Sequence, residues 1–385
     1  MPKHAVTVST PIDAKSFRVS QVAGLFDVPV KERASETFEV DLPAINEGWQ
    51  IGLIVGPSGS GKSTVARSAY GDNIYRPGEG WPAKQSVLDG FAEEFPAKEL
   101  TGLLSAVGFS SPPSWIKPYA VLSNGEKFRC DLARALTTAK SPVVFDEFTS
   151  VVDRTVAKVG SLAVSKLLRK TAMPKFVAVT CHYDVAPWLS PDWILDMASC
   201  TLARRKLRRP QLRLEVFRSG RGAWELFKKH HYLSHSIPGG AQIYVAYLSG
   251  LESTAVPCGV VIVGQHFGNQ RKGATEQGTK RISRIVVLPD YQGIGIGSRL
   301  LDAVAAILQE ENWRVAITTS HPGMIAHLGR SPSWKVTACD AVSGKVWTTE
   351  KAVRSGKRKA SDGAMRSSLG RTRVSAVFHG NALNA

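Results

Sequence analysis

Cysteine is scarce in this chain of 385 residues: five in all (Cys130, Cys181, Cys200, Cys258, Cys339), and no CxxC pair. An odd, scattered set excludes a disulfide framework and a zinc knuckle, and leaves reduced, mostly buried thiols as the expectation. No apolar run approaches the ~18 residues a membrane-crossing helix needs, so no membrane association is expected. The opening Met1-Pro-Lys-His-Ala-Val has none of the charged, apolar and small-residue sections of a secretory signal. A cytoplasmic protein is the expectation.

Acidic residues are the other shortage, and it is local. Residues 1–205 hold 23 Lys+Arg against 21 Asp+Glu, whereas residues 206–385 hold 26 against 11, so nearly all of the net charge of +17 falls in the second half. Such asymmetry points to a polyanionic partner, with nucleic acid (DNA or RNA) the commonest; a solvated basic face is the alternative. An apolar content of 43% over this length suits two globular domains, each burying its own core.

The patterning divides the chain in the same way. Strand-like alternation is expected around Phe17–Val28 and Thr37–Leu42, followed by a strand at Ile51–Val55 and a helix opening at Lys62. Residues 71–120 are rich in Gly, Pro and aromatics and show weak periodicity. Ala203–Arg213 is basic and broken by Pro210, which marks a boundary: an ATP-binding domain at 1–203, a basic linker at 204–211, and a second domain at 212–380. In the second domain we expect a helix over Trp224–Tyr232, paired strands at Ala241–Leu248 and Cys258–Val263, and a strand at Arg281–Leu288. A helix at Gly297–Gln309 and a strand at Trp313–Thr318 follow. Residues 346–372 are a basic, weakly hydrophobic insertion before a last strand at Arg373–Phe378.

Gly56-Pro-Ser58-Gly59-Ser-Gly61-Lys62-Ser63-Thr64 follows the apolar Ile51–Val55. In such a loop glycines let backbone N–H groups turn inward around phosphates, a lysine supplies charge to the β- and γ-phosphates, and a hydroxyl is offered to Mg²⁺. Pro142–Phe145 is an apolar strand ending in Asp146 and Glu147: one carboxylate to hold Mg²⁺, with Ser63, and one to polarise an attacking water. Val177-Ala-Val-Thr-Cys-His182 is a further apolar strand tipped by a histidine, expected to sense the γ-phosphate.

These motifs resemble the ATP-binding-cassette (ABC) ATPases over roughly Phe38–Ile194. Leu122-Ser123-Asn124-Gly125-Glu126-Lys127, leading into Leu132-Ala-Arg-Ala-Leu136, looks like the family signature. Asp146-Glu147-Phe-Thr-Ser-Val-Val-Asp153 resembles its Walker B and D-loop segment, and His182 its switch histidine. The resemblance implies a homodimer in which ATP lies between Lys62 of one copy and Ser123 and Gly125 of another. It departs from the family at Asn124, where glycine is usual. Gln85 is the candidate for the Q-loop glutamine, and Phe17 or Phe26 for the adenine-stacking aromatic.

The second half carries its own glycine loop, Gln292-Gly293-Ile-Gly295-Ile-Gly297-Ser298, between the strand ending Ile285-Val-Val287-Leu and a helix. Backbone N–H groups there face a pyrophosphate at a helix N-terminus. A dinucleotide loop is the alternative, but no acidic residue is placed for a ribose. The form Pro-x-Tyr-Gln-Gly-x-Gly-x-Gly resembles motif A of the GCN5-related N-acetyltransferases (GNAT). It implies an α+β fold with a splayed sheet, acetyl-CoA or another acyl-CoA between two parting strands, and Ile285 and Val287 along the pantetheine arm. His231 in the cluster His230-His231-Tyr232, Ser283 on the motif A strand and His321 after Thr318-Thr-Ser are the candidates for proton transfer. Arg281-Ile-Ser-Arg, His-His-Tyr-Leu-Ser and Thr-Thr-Ser-His-Pro look like the phage Mom-like branch of these enzymes, which implies DNA modification in a bacterial or phage-infected cell.

The expected fold class is therefore α/β: a P-loop ABC-type ATPase domain followed by a GNAT-fold α+β acyltransferase domain. Three functions stay open at this point. One is an ATP-hydrolysing, acyl-CoA-dependent N-acyltransferase acting on an exocyclic amine of a nucleic-acid base. Another is a small-molecule or protein acetyltransferase regulated by an ATPase domain, and the third a nucleic-acid clamp with an inactive GNAT domain.

Overall fold

The computed structural model describes residues 3–11, 16–28, 33–71, 74–138, 141–171, 173–204, 207, 209–231, 235–265, 278–341 and 372–380. The chain divides into two compact units, Met1–Gln211 and Leu212–Ala385.

The first unit opens with β1 (Lys3–Pro11) paired antiparallel to β2 (Arg33–Asp41). The expected strand at Phe17–Val28 is instead a helix, α1 (Phe17–Phe26), ended by Asp27 in the left-handed region (φ 52°). Only Phe17-Arg-Val-Ser alternates; Val22, Leu25 and Phe26 then recur at three- and four-residue steps, the helical interval. The partner of β2 is β1, whose alternating His-Ala-Val-Thr-Val-Ser is the better strand pattern. The helix α1 buries none of its residues.

Next come β3 (Ile51–Val55), α2 (Lys62–Tyr70), β4 (Ile74–Tyr75), α3 (Ala97–Ala106), α4 (Pro112–Trp115), α5 (Asn124–Thr138) and β5 (Val143–Phe145). They are followed by α6 (Arg154–Leu168), β6 (Phe176–Thr180), α7 (Ala186–Leu189), β7 (Trp193–Asp196) and β8 (Thr201–Ala203). The strand order is β4-β5-β6-β3-β7-β8, parallel except for β8 against β7. Every residue of β3, β5 and β6 is buried, and a parallel sheet covered on both faces needs such unbroken apolar strands. Leu53, Phe145, Phe148 and Phe176 pack on one side with Phe128, Leu132 and Val164 of the helices. Ile54, Val177 and Trp193 pack on the other with Val65 of α2 and Val6, Phe38 and Val40 of the β1–β2 pair. Gly52 lets the Trp193 ring close over β3, since a Cβ there would lie 2.0 Å from that ring.

The weakly patterned segment before α5 is held by two side chains of that helix. Asp131, 1% exposed, accepts from Tyr75 Oη, Trp81 Nε1 and the Gly78 N–H through Oδ1 (2.9, 2.8 and 3.2 Å), and from Tyr119 Oη through Oδ2 (2.7 Å). Arg134 donates to the Glu79 and Gly80 carbonyls and lies over the Trp81 ring, which stacks on Tyr119.

The second unit is a seven-stranded sheet in the order β14-β15-β13-β12-β11-β10-β9. Its strands are β9 (Arg213–Ser219), β10 (Gln242–Ser249), β11 (Val256–Gln265), β12 (Thr279–Val287), β13 (Arg314–Thr319), β14 (Trp334–Ala341) and β15 (Thr372–Phe378). Among the described strands of this sheet, only β12 and β13 run parallel. The helix expected over Trp224–Tyr232 is shorter: α8 (Trp224–Phe227) tightens into a 3₁₀ turn at Lys228–His230, and Tyr232 lies outside the described residues. Between β12 and β13 runs α9 (Ile296–Glu310), burying Ile296, Leu300, Leu301, Val304, Ala305 and Leu308 on one face; α10 (Pro322–Arg330) follows β13. Residues 346–371 of the expected insertion lie outside the described residues, and Thr372 begins β15. Of the cysteines, Cys130 and Cys258 are buried, Cys181 and Cys200 half-buried, and Cys339 exposed. Among the described residues, no helix is long and apolar enough to cross a membrane.

Candidate functional sites

The register of the first sheet gathers the nucleotide motifs. Val55 pairs with Thr180 and with Asp196, and Phe145 with Ala178, so β3, β5 and β6 all end on one edge. From that edge emerge the glycine loop, the Asp146–Glu147 pair and His182. Gly59 and Gly61 adopt φ 78° and 77°, where an L side chain is strained, and Gly61 turns against Phe38, 2.8 Å from where a Cβ would stand. Ser58 is exposed, and Lys62, Ser63 and Thr64 form the first turn of α2. Lys62 Nζ donates to the Pro57 carbonyl (2.6 Å) and Ser63 Oγ to Asp146 Oδ1 (2.9 Å).

Asp146 Oδ1 also accepts the Glu147 N–H (3.0 Å), and Glu147 takes φ 50°. That turn leaves the Glu147 side chain exposed, with Oε2 accepting from Ser150 Oγ (2.5 Å). Asp153 caps α6 through the Thr155 N–H (2.7 Å). Half-buried His182 has its imidazole pKa lowered, by burial first and by the nearby Arg154 cation, while Asp184 and Glu147 oppose the shift. Arg154 is itself paired with Asp184.

At the head of α5, Ser123 and Glu126 form a capping box: Glu126 Oε2 accepts from the Ser123 N–H and Oγ (3.0 Å each), and the Glu126 N–H reaches back to Ser123 Oγ (3.3 Å). Burial works to raise the Glu126 pKa, but these bonds, with Ser114 and Lys117, hold it below the usual carboxylate value. Gly125 is the second residue of the helix, with Arg129 and Val156 beside it. Gln85 is exposed in the loop before Leu88, and Phe17 and Phe26 are 80% and 73% exposed on α1.

A phosphate-bearing ligand with Mg²⁺ suits this set. The Ser60 hydroxyl is buried in the glycine loop without a hydrogen-bond partner, Gly59 and Gly61 hold left-handed conformations, and a hydroxyl and a carboxylate of the types that bind Mg²⁺ already touch.

In the second unit, β12 and β13 pair only from Thr279↔Arg314 to Ile282↔Ile317 and then part. The parting coincides with a bulge: Ile262 pairs with Arg284 and Val263 with Ile282, leaving Ser283 as the extra residue, its Oγ bonded to the Ile262 carbonyl (3.0 Å). Beyond the bulge Ile285, Val286 and Val287 stay paired to β11 on their other side. The strand leads into the second glycine loop. Gln292 Nε2 donates to the Val287 carbonyl (2.9 Å), Gly293 and Gly295 take φ 90° and 93°, and Gly297 and Ser298 stand in the first turn of α9. A Cβ on Gly297 would lie 3.6 Å from Val287 and 3.9 Å from Met324, ordinary contact distances.

Residues 239–328 match the acetyltransferase (GNAT) domain family. The second unit carries a GNAT acetyltransferase domain. Among solved structures, this chain is similar to a dimeric bacterial ABC transporter cassette (15% identity, 50% of this chain and 92% of that one, TM-score 0.37). It is also similar to the ADP- and phosphate-bound, post-hydrolysis dimer of an ATP-binding cassette (17%, 54% and 98%, 0.38) and to cbiO1 of the cbiONQ ABC transporter complex from Clostridium perfringens (16%, 43% and 78%, 0.34). No curated protein matches the chain.

The acid–base candidates of the GNAT unit stand on three separate elements. His231 follows the turn after α8, is 9% exposed, and packs edge-on against Trp224. Its neighbour His230 has its pKa lowered by burial, then by Lys229. Ser283 is the bulge residue of β12, and His321 is the N-cap residue of α10, its N–H on Thr319 Oγ1 (3.1 Å). Arg284, beside Ser283 in the Arg281-Ile-Ser-Arg segment singled out in the sequence, reaches from the bulge to the Ser236 carbonyl (2.6 Å) with its pKa lowered by burial. Sequence reasoning passed over Asp302, which accepts from Trp334 Nε1 (2.8 Å) and lies 2.9 Å from His327 Nε2, tying α9 to α10. These partners are distant in sequence and carry no local pattern.

Proposed function

We propose that this protein is an ATP-hydrolysing, acyl-CoA-dependent N-acyltransferase whose acceptor is a nucleic acid. Residues 1–203 serve as the ATP-binding domain, 204–211 as a basic linker and 212–380 as the acyltransferase domain. The observation that carries the ATPase reading is the contact of Ser63 with Asp146 on the edge from which Glu147 and His182 also emerge.

In this reading Gly56, Ser58, Gly59, Gly61, Lys62 and Thr64 bind the phosphates, and Ser63 and Asp146 hold Mg²⁺, which neutralises charge on the transferred phosphoryl group. Glu147 takes the proton of the attacking water, and neutral His182 orients the γ-phosphate end. Ser123 and Gly125 of a second copy close the site, making the protein an ATP-dependent homodimer. In the acyltransferase domain Gln292, Gly293, Gly295, Gly297 and Ser298 hold the pyrophosphate of acyl-CoA. Ile285 and Val287 line the arm where β12 and β13 part, and His231, Ser283 and His321 are the groups for proton transfer.

The nucleic-acid acceptor is supported by charge. The second half holds 26 basic against 11 acidic residues, and Arg213, Arg218, Arg221, Arg281, Arg299 and Arg314 are exposed. The acyl group is transferred to an exocyclic base amine, which must leave the base stack to be reached. The test is nucleoside mass spectrometry of DNA and tRNA incubated with the protein, ATP and acetyl-CoA. An acyl-CoA-dependent mass gain on one nucleoside is expected; acylation of free amines or protein lysines alone contradicts the acceptor.

A further inference from the structure

Asp146 is fixed from outside the nucleotide loop as well as from within it. Its N–H donates to the Tyr75 carbonyl (3.0 Å), and Tyr75 belongs to β4, a strand of two residues that covers the open side of β5 through Ile74↔Val144 and Tyr75↔Phe145. So short a strand cannot hold its own register. What anchors it is the Tyr75 side chain, whose ring stacks on Phe145 (centroids 5.3 Å apart) and whose hydroxyl donates to buried Asp131 on α5. Asp131 lies eight positions after Ser123, a little over two helical turns along α5. A continuous run of contacts therefore leads from Ser63 through Asp146, Tyr75 and Asp131 to the helix that begins at the signature.

We propose that Tyr75 and Asp131 are positioning residues that set the Mg²⁺ carboxylate Asp146 relative to the Ser123 end of α5. The inference rests on the ATPase reading above and deepens it: the metal end of one copy's nucleotide site is tied to the surface that the same copy presents to its partner's nucleotide. An apolar contact alone would serve the core equally well. A buried carboxylate collecting four donors, one of them the residue that holds Asp146, fixes direction as well as distance.

Two phenols separate this role from plain stability. Tyr75→Phe removes the hydroxyl bond to Asp131 and keeps the ring stack and the carbonyl. Tyr119→Phe removes the other hydroxyl bond to the same carboxylate, from a residue that does not pair with β5. Both variants are measured for ATPase rate against Mg²⁺ concentration, for equilibrium binding of ATP without Mg²⁺, and for thermal unfolding. Tyr75→Phe is expected to raise the Mg²⁺ concentration for half-maximal activity about tenfold, the size usual for loss of a group that orients a metal ligand, while metal-free ATP binding stays unchanged. Tyr119→Phe is expected to leave the Mg²⁺ dependence where it was, at a similar loss of thermal stability. An unmoved Mg²⁺ dependence in Tyr75→Phe, or an equal shift in both variants, overturns the positioning role. Failure of the unaltered protein to bind MgATP overturns the ATPase reading itself, so the two failures are distinct.

Discussion

Ser63 Oγ donates to Asp146 Oδ1 at 2.9 Å, joining the first turn of α2 to the end of β5 across 83 positions of sequence. Both sit half-buried at the edge where the strands end. On the function proposed above, this hydroxyl and carboxylate would share one Mg²⁺. Asp146→Asn should lower the ATPase rate by about a hundredfold or more, a loss of roughly 3 kcal/mol, with metal-free ATP binding retained. Ser63→Ala should act in the same direction. Enzyme assays at saturating ATP, paired with nucleotide titrations in EDTA, measure both.

Glu147 sits exposed at φ 50°, its carboxylate steadied by Ser150 and by nothing that the fold requires. Glu147→Gln keeps the shape and removes the charge; if Glu147 is the base proposed above, hydrolysis should stop while ATP stays bound. Light scattering is expected to show a stable dimer in MgATP and monomers after nucleotide removal. A variant that stays monomeric with ATP bound contradicts the sandwich of Lys62 with a second copy's Ser123.

The lowered pKa of His182, caused first by burial and then by Arg154, fixes the sign of a pH effect. Above the ordinary histidine value of about 6.5 the side chain is neutral in folded and unfolded chains alike, and contributes no pH dependence. As the pH falls below that value the unfolded chain takes up its proton first. Stability is lost until the pH reaches the lower, folded pKa. Thermal unfolding of the unaltered protein should therefore show a steeper fall with acidification over this window than His182→Gln. Parallel curves would remove the histidine from the explanation.

Gly52 and Trp193 predict a stability effect away from any chemistry. A Cβ at Gly52 would lie 2.0 Å from the Trp193 ring, which is 1% exposed and has no room to retreat. Gly52→Ala should destabilise by at least about 1–3 kcal/mol, the range for overpacked cores. Gly102→Ala, with nothing within 4 Å of its Cβ on a helix, should be neutral or mildly stabilising. Denaturant unfolding of the two variants compares them.

For the acyltransferase unit, Gly295 at φ 93° is the sharper probe of the second loop. Gly295→Val places a β-branched side chain in a conformation that costs of order 1–3 kcal/mol and re-aims the N–H groups at the start of α9. Acetyl-CoA affinity should fall at least about tenfold, with MgATP affinity unchanged; calorimetry measures both.

Much of the site was legible because its parts end apolar strands. Ile51–Val55, Val143–Phe145 and Phe176–Thr180 announce themselves by unbroken burial, and parallel pairing then aligns whatever follows each of them. The same holds for β12, where Gln292-Gly293-Ile-Gly295 states the turn and the helix together. The strand expected at Phe17–Val28 failed because four alternating residues outweighed a helical interval in the next six. The segment between Tyr75 and Tyr119 had no legible order because its organiser, Asp131, lies on a helix that comes later in the chain. Its aromatic and glycine residues become a structure only around that carboxylate. The bulge at Ser283 was equally hidden, since it arises from how β11 and β12 match rather than from either strand alone.

Separate sites for MgATP and for an acyl-CoA on one polypeptide make a prediction about binding. Isothermal titration of the full chain with each ligand, then with the second in the presence of the first, tests it most directly. Saturable binding of both is expected, with Lys62→Ala abolishing only the first and Gly295→Val weakening only the second. Absence of heat for either coenzyme in the unaltered protein would contradict it.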